Sequence, residues 1–315
     1  MIVLSTGSLH NYSIKRIFAL ATEIGFDGIE VIVGRKWDTR DPTYLRHLSS
    51  ECGLPIVALH TPFVPRLKNW PTNELKRLER TVALAQELEV QLVVAHLPLR
   101  FKRVVVKLNL LGARRFVLAL PRLRKGSYFH FVSDGRLHEM ESSSGVIVAL
   151  ENMPAHRLLG LQINAYWFNS PARMSRFSHL TLDTTHLGTW GLNPVEIYEQ
   201  LKERVVHIHL SNFDGRDHRS PVDGHLPLAT LLRRLAQDDY SGAISVECAP
   251  DALQAEDEGR CKLELAAALT FCREHFSGGE TDSNETFCDE LMRLPRAGMK
   301  VCITSLNSHY HSRTF

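Results

Sequence analysis

Short aliphatic runs alternate with segments of helical period from the start of the chain to residue 276. The runs are Ile2–Ser5, Gly28–Val33, Pro55–His60, Gln91–His96, Val146–Glu151, Leu180–Asp183, Val205–Leu210 and Ala243–Glu247, all of strand length and rich in β-branched or aliphatic residues. In the segments that follow, Ile14, Ile17, Phe18 and Ala21 keep i, i+3, i+4, i+7 spacing, as do Leu228, Leu231, Leu232 and Leu235, so each set forms an apolar stripe on a helix. Asn193-Pro194 ahead of Val195, Tyr198 and Leu201 reads as an N-cap with proline in the first turn. Eight strand-then-helix units, with no GxGxxG or phosphate-binding loop after the first run, predict a closed (β/α)8 TIM barrel rather than an open doubly wound sheet.

Two stretches depart from the rhythm. Residues 100–145 have room for one helix, yet Arg100, Lys102, Arg103, Lys107, Arg114, Arg115, Arg122, Arg124 and Lys125 arrive with no acidic residue before Asp134. A basic helix over a phosphate-containing ligand is one reading; a solvated outer helix with an irregular loop is the simpler one and is the expectation taken forward. The segment 277–315 is rich in Gly, Ser, Thr and Asn and lacks periodicity, which predicts a barrel over 1–276 with a poorly structured C-terminal extension over 277–315.

Length and charge narrow the function classes. A chain of 315 residues fits one large α/β barrel, and 44% hydrophobic with 23% charged residues is an ordinary globular composition. The net charge of +2 supplies no general field for nucleic acid or anionic membrane. No apolar run nears the roughly 20 residues that cross a bilayer, and the N-terminus lacks a signal-peptide pattern, so a cytoplasmic protein is expected. The six cysteines form no CxxC pair or regular framework, which predicts reduced thiols.

Histidine is abundant, at 16 residues, and the chemistry gathers where the strands end. Five runs finish on an acid or a histidine: His60 in ALHTPF, His96 in VVAHLP, Glu151 in VALENMP, Asp183 in LTLDTTH and Glu247 in ISVECAP. A sixth, VVHIHLSN, carries His209 near its end and His207 on the same face one layer deeper. A lone strand-end histidine ordinarily does no more than satisfy hydrogen bonds. Six converging ligand-type side chains are another matter, because one buried unpartnered carboxylate already costs several kcal/mol. Two Glu, one Asp and one His at the ends of four strands make an oxygen-rich set that suits one divalent cation, Mn2+, Mg2+ or Co2+, with Zn2+ favoured if further histidines join. His207 is assigned to the core, and Cys248, facing outward beside Glu247, to packing.

The ordered segments GFDGIEV, LHTPF, AHLP, ALENMP, LDTTH, HIHLSN, HRSPVDGHLPL and SVECAP resemble the xylose isomerase-like barrel superfamily, which includes sugar-phosphate isomerases and epimerases and apurinic endonucleases of the endonuclease IV type. The resemblance runs from residue 1 to about residue 276. It implies, as in the ketose 3-epimerase branch, one metal on Glu151, Asp183, His209 and Glu247, with Glu151 and Glu247 also moving the proton. In the endonuclease branch, with three zinc ions, the additional histidines correspond to His60, His96, His186 and His218. That branch has an aspartate two residues before the last of these, where this chain has Arg216. Asp214 or Asp217 would have to replace the lost ligand. The branch's usual GEG turn is also altered, to Val222-Asp223-Gly224.

Two enzyme classes follow. An isomerase or epimerase of a small carbohydrate or sugar phosphate needs two carboxylates beside the substrate and an electrophile on its oxygens; Glu151 and Glu247 would be base and acid, with His60, His96, His186, Arg216 and His218 contacting the substrate. The alternative is a zinc-dependent phosphodiesterase of the endonuclease type. Surfaces that neutralise several phosphates carry a basic excess which this chain does not have overall, so the carbohydrate enzyme ranks first and a nucleic-acid partner is not expected. A homo-oligomer is compatible with either reading. A non-catalytic binding barrel ranks last, because all four core ligands are present.

Overall fold

The computed structural model describes residues 1–63, 66–110, 114–158 and 160–276, with side chains between 102 and 121 and at 158 left out. The extension expected over 277–315 lies outside the described residues.

Eight parallel strands close into a barrel: β1 (Ile2–Ser5), β2 (Gly28–Ile32), β3 (Ile56–His60), β4 (Leu92–His96), β5 (Ile147–Glu151), β6 (Leu180–Asp183), β7 (Val205–Leu210) and β8 (Ala243–Val246). They follow one another around the ring in chain order, and β8 closes onto β1 with Ile2 opposite Ile244 and Leu4 opposite Val246. Every strand is thus eight-fold barrel staves with helical crossovers, the architecture expected from the alternating pattern.

The crossovers form where the sequence places caps and stripes. Helix α1 (Ile14–Ile24) starts where the Ser13 hydroxyl accepts from the Arg16 N–H and ends at Gly25, whose φ of 96° is a left-handed turn that glycine takes without strain. In the later helix Pro194–Leu201, the Asn193 side chain accepts from the Val195 N–H with proline in the first turn. Leu228, Leu231, Leu232 and Leu235 bury one face of the helix Leu228–Gln237 against the barrel. The outward-facing strand residues Ile29, Val31, Leu59, Val93, Leu150, Leu182 and Ile208 are fully or almost fully buried beneath the helices. Among the described residues no helix is long and apolar enough to cross a membrane, and Cys52, Cys248, Cys261 and Cys272 are free thiols.

The basic segment corrects the sequence expectation. In place of one outer helix, Phe101–Leu110 and Arg114–Leu123 pair as an antiparallel hairpin, followed by two short helices, Ser127–Ser133 and Arg136–Ser144. The run Val104-Val105-Val106 favours extended backbone, and its lack of helical period matters more than the density of lysine and arginine around it.

Candidate active site and metal centre

Strand register sets the site. His96 lies opposite Glu151 across the β4–β5 pair, and Asp183 lies opposite His209 across β6–β7. Period-two alternation turns these residues, with His60 and Glu30, toward the barrel axis. Ala58, Ala149, Thr181 and Ser245 share that inward parity and are buried, and their small size leaves room for the large polar groups.

One ligand atom from each of Glu151, Asp183, His209 and Glu247 lies within 4.8 Å of the other three. His209 Nδ1 is at the centre, 3.0 Å from Glu151 Oε1, 2.9 Å from Glu247 Oε2 and 3.8 Å from Asp183 Oδ2. All four side chains are buried. Asp183 is fixed from several sides: its Oδ1 accepts from the His186 N–H at 2.7 Å, and its backbone N–H donates to Asn152 Oδ1 at 2.8 Å. Its other oxygen, Oδ2, is buried with no hydrogen-bond partner. Burial pushes the Asp183 carboxyl above its ordinary pKa.

The histidines show the same design. His60 Nδ1 meets the Thr61 carbonyl at 2.7 Å, His186 Nδ1 the Asn152 carbonyl at 2.8 Å and His218 Nδ1 the Glu247 carbonyl at 3.1 Å. A carbonyl only accepts, so each Nδ1 carries the proton, and in the neutral ring Nε2 presents a lone pair. His60 Nε2 and His96 Nε2 both lie 3.4 Å from Glu151 Oε2, and the His96 nitrogen is otherwise orphaned. Burial and the neighbouring His60 push the His96 imidazole down to about 3, which keeps it neutral. His96 Nε2 and Asp183 Oδ2 are buried acceptors with no hydrogen-bond partner, and these buried His, Glu and Asp groups could hold a divalent metal.

Among the described residues three further groups of donors share members with the central four: His60, His96 and Glu151; Asp183, His186 and His218; and Glu30, His60 and His209. His218 adopts φ 53°, in the left-handed region, and its backbone N–H donates to the Thr185 hydroxyl at 3.0 Å. The structure does not bring Arg216 to this cluster. Its guanidinium lies 2.6 Å from Asp214 Oδ2 and its side chain is 66% exposed, so the local ion pair in a two-residue turn wins over a reach into the barrel. That pair, with Arg219 at 3.6 Å, also occupies Asp214, while Asp217 is exposed; neither supplies a fourth donor to the group of Asp183, His186 and His218. Gly224, φ 145°, is required because a Cβ there would collide with the Asn212 carboxamide that caps the same loop.

Glu30 is the residue that the sequence reading missed. From the middle of β2 it receives His207 Nε2 and His209 Nε2, one on each carboxylate oxygen and both at 3.1 Å, with all three side chains fully buried. His207 is buried in the core one layer deeper, as expected, and there it belongs to a polar layer beneath the site. Because Glu30 accepts the Nε2 proton of His209, the other ring nitrogen is aimed at the three carboxylates. Burial opposes an imidazolium there, but Glu30, Glu247 and Glu151 together outweigh it and raise His209 well above its ordinary pKa. The converse holds for Glu151 and Glu247: burial favours their neutral forms, and His209 overrides it and holds both carboxyls low.

A model of the xylose isomerase-like TIM barrel family matches residues 18–266, and the chain belongs to that family. Uncharacterised proteins of Mycobacterium leprae and Mycobacterium tuberculosis are 26% identical to it over 293 and 295 residues, covering 86% of this chain and 95% and 96% of theirs. Among solved structures, an Escherichia coli 3-keto-D-glucoside 4-epimerase superposes with a TM-score of 0.60 at 19% identity, covering 85% of this chain and 98% of its own. A D-psicose 3-epimerase gives 0.60 at 13% identity over 88% and 99%, and a family 2 AP endonuclease of Brucella melitensis 0.58 at 15% over 85% and 97%. At these identities the likeness shows the fold alone.

Proposed function

We propose that the protein is a metal-dependent isomerase or epimerase of a small carbohydrate, free or phosphorylated. The observation that carries this reading is the placement of two buried carboxylates, Glu151 and Glu247, from strand regions separated by β6 and β7, at 3.0 and 2.9 Å from one ligand nitrogen of His209. Epimerases among the structural neighbours support it. A divalent cation held by Glu151, Asp183, His209 and Glu247, as Mn2+, Co2+ or Mg2+, would polarise the carbonyl and adjacent hydroxyl oxygens of the sugar. One glutamate then takes the proton from the carbon next to the carbonyl, and the other returns a proton to the carbon skeleton or to oxygen. His60, His96, His186 and His218 line the approach, and the Nε2 atoms of the three whose Nδ1 is fixed accept hydrogen bonds from substrate hydroxyls.

Metal loading must displace the proton that His209 holds between the carboxylates. In the metal-free fold that proton is stabilising below the ordinary histidine pKa, and the contribution disappears as pH rises through the raised folded value. Affinity for Mn2+ is therefore expected to climb from the acid to the alkaline side of neutrality. Calorimetric titrations in buffers of different ionisation enthalpy should show proton release on binding; pH-independent affinity with no proton released would reject His209 as a ligand.

The groups His60–His96–Glu151 and Asp183–His186–His218 favour a second reading, a zinc phosphodiesterase of the endonuclease type, in which each group takes its own ion. Arg216 in place of a carboxylate weighs against it. Alanine at His60, His96 or His218 separates the two. The isomerase reading expects one metal per chain to remain while KM rises or turnover falls. A metal count that drops from three or two to one by elemental analysis, together with loss of abasic-DNA hydrolysis, replaces it with the phosphodiesterase.

A further inference from the structure

Two cavities flank the carboxylate cluster, and they differ in chemistry. The smaller, about 260 Å3, sets the polar groups of His96, His186, Tyr128 and Tyr166 among apolar residues such as Leu97 and Met153. The larger, about 730 Å3, begins at Glu247 and His218 and extends outward between β1, β2 and their following loops; its lining is predominantly apolar, with Tyr12, Ile17, Ile32, Val33 and Pro250, and also includes His10, Arg35 and Lys36. Phe63 lines both cavities, stacks on the His60 ring at 4.7 Å and remains 51% exposed. Gly7 keeps the larger cavity continuous with the acid–base pair, since a Cβ there would lie 2.9 Å from Glu247 Oε1.

A lone sugar ring presents hydroxyls on almost every carbon and would leave them facing aliphatic walls, at the cost of lost hydrogen bonds. The larger volume lies well inside the about 300–1,000 Å3 range of pockets that enclose drug-sized, mostly apolar ligands. Resting on the carbohydrate reading above, we infer that the substrate is a conjugate: a sugar ring over the cluster and in the smaller cavity, within reach of its histidines and tyrosines, joined to an apolar aryl or alkyl group that occupies the larger cavity. Phe63 stands at the junction, with an exposed face for the sugar's C–H surface or the start of the apolar group.

The test uses the Mn2+-supplemented protein and matched pairs of methyl and phenyl glycosides of glucose, galactose and xylose, titrated by calorimetry. In at least one pair the phenyl member is expected to bind at least about tenfold more tightly, equivalent to about 1.4 kcal/mol. Gly34 lines the cavity with ordinary backbone, and a Cβ added to it meets its nearest atoms at 3.7 Å, so Gly34→Phe should place a ring in the cavity without a backbone clash. Pro250→Phe, at a half-buried position on the same cavity, is the second filling variant. Each is expected to return the phenyl glycoside to the affinity of the methyl glycoside and to leave the latter unchanged. Equal affinities in the parent protein, or a phenyl preference that survives both substitutions, overturns the apolar subsite alone. If no glycoside binds, the subsite falls together with the carbohydrate reading.

Discussion

Replacing Glu151 or Glu247 with glutamine is expected to lower turnover by about 10²- to 10⁴-fold while a divalent cation still binds. Glutamine keeps an oxygen donor toward the cation and nearly the same shape, but it cannot take or return a proton at neutral pH. Both carboxyls are held low by the charge on His209 in the metal-free fold, against burial, so each is ionised and available as a base in the neutral range. The relevant comparison is kcat against metal content for each variant. Losing metal and activity in equal measure in both would leave the carboxylates as ligands only, with no acid–base role.

Removing the carboxylate of Glu30 should be the most damaging single change to the fold of the site. It accepts from two buried imidazoles at 3.1 Å each, and Glu30→Leu leaves both nitrogens without an acceptor in a layer closed to solvent. Breaking a buried ion pair from one side costs about 3–5 kcal/mol, which a denaturant titration resolves easily. Glu30→Gln tests the same residue more gently. A carboxamide accepts through its oxygen but donates through its nitrogen, so one of the two imidazoles must change tautomer. Where that ring is His209, Nδ1 carries a proton and no longer offers a lone pair to a cation. Metal affinity should then fall about 10- to 100-fold, as for other residues that orient a ligand from behind.

The pH dependence of that variant carries a definite sign. Burial disfavours the Glu30 carboxylate, but His209 and His207 outweigh it and hold the carboxyl well below its ordinary range. Its stabilising contribution is thus present above the ordinary glutamate pKa and lost as pH falls through the depressed value. The stability gap between the parent and Glu30→Gln should narrow in acid. A parent no more stable than Glu30→Leu, with metal affinity unchanged in both variants, would show Glu30 to be a passive occupant of the barrel.

The strand ends were readable because a parallel strand in a closed barrel has two unlike faces. His60, His96, Glu151, Asp183 and Glu247 interrupt or finish aliphatic runs at the position where a side chain must turn toward the barrel mouth, so a one-dimensional pattern already assigns them to one end and one face. Glu30 was overlooked because it lies two residues before the end of β2, between Ile29 and Val31. The signal was present nonetheless: a carboxylate inside a strand buried on both faces needs a partner, and His207 has the matching inward parity on β7.

Local sequence therefore determined the eight strands and their capped helices, and it marked the candidate donors at the strand ends, since alternation, caps and helical stripes act over a few residues. Which donors meet was decided only by closure of the ring, because register across separate strands sets Asp183 beside His209 and brings Glu30, from β2, under a histidine on β7. The tertiary structure also decided against two local inferences. Arg216 pairs with Asp214 two residues away and stays in solvent, where an ion pair costs little desolvation, and Phe101–Leu110 pairs with Arg114–Leu123 because valine-rich backbone finds a ladder partner that charge counting does not reveal.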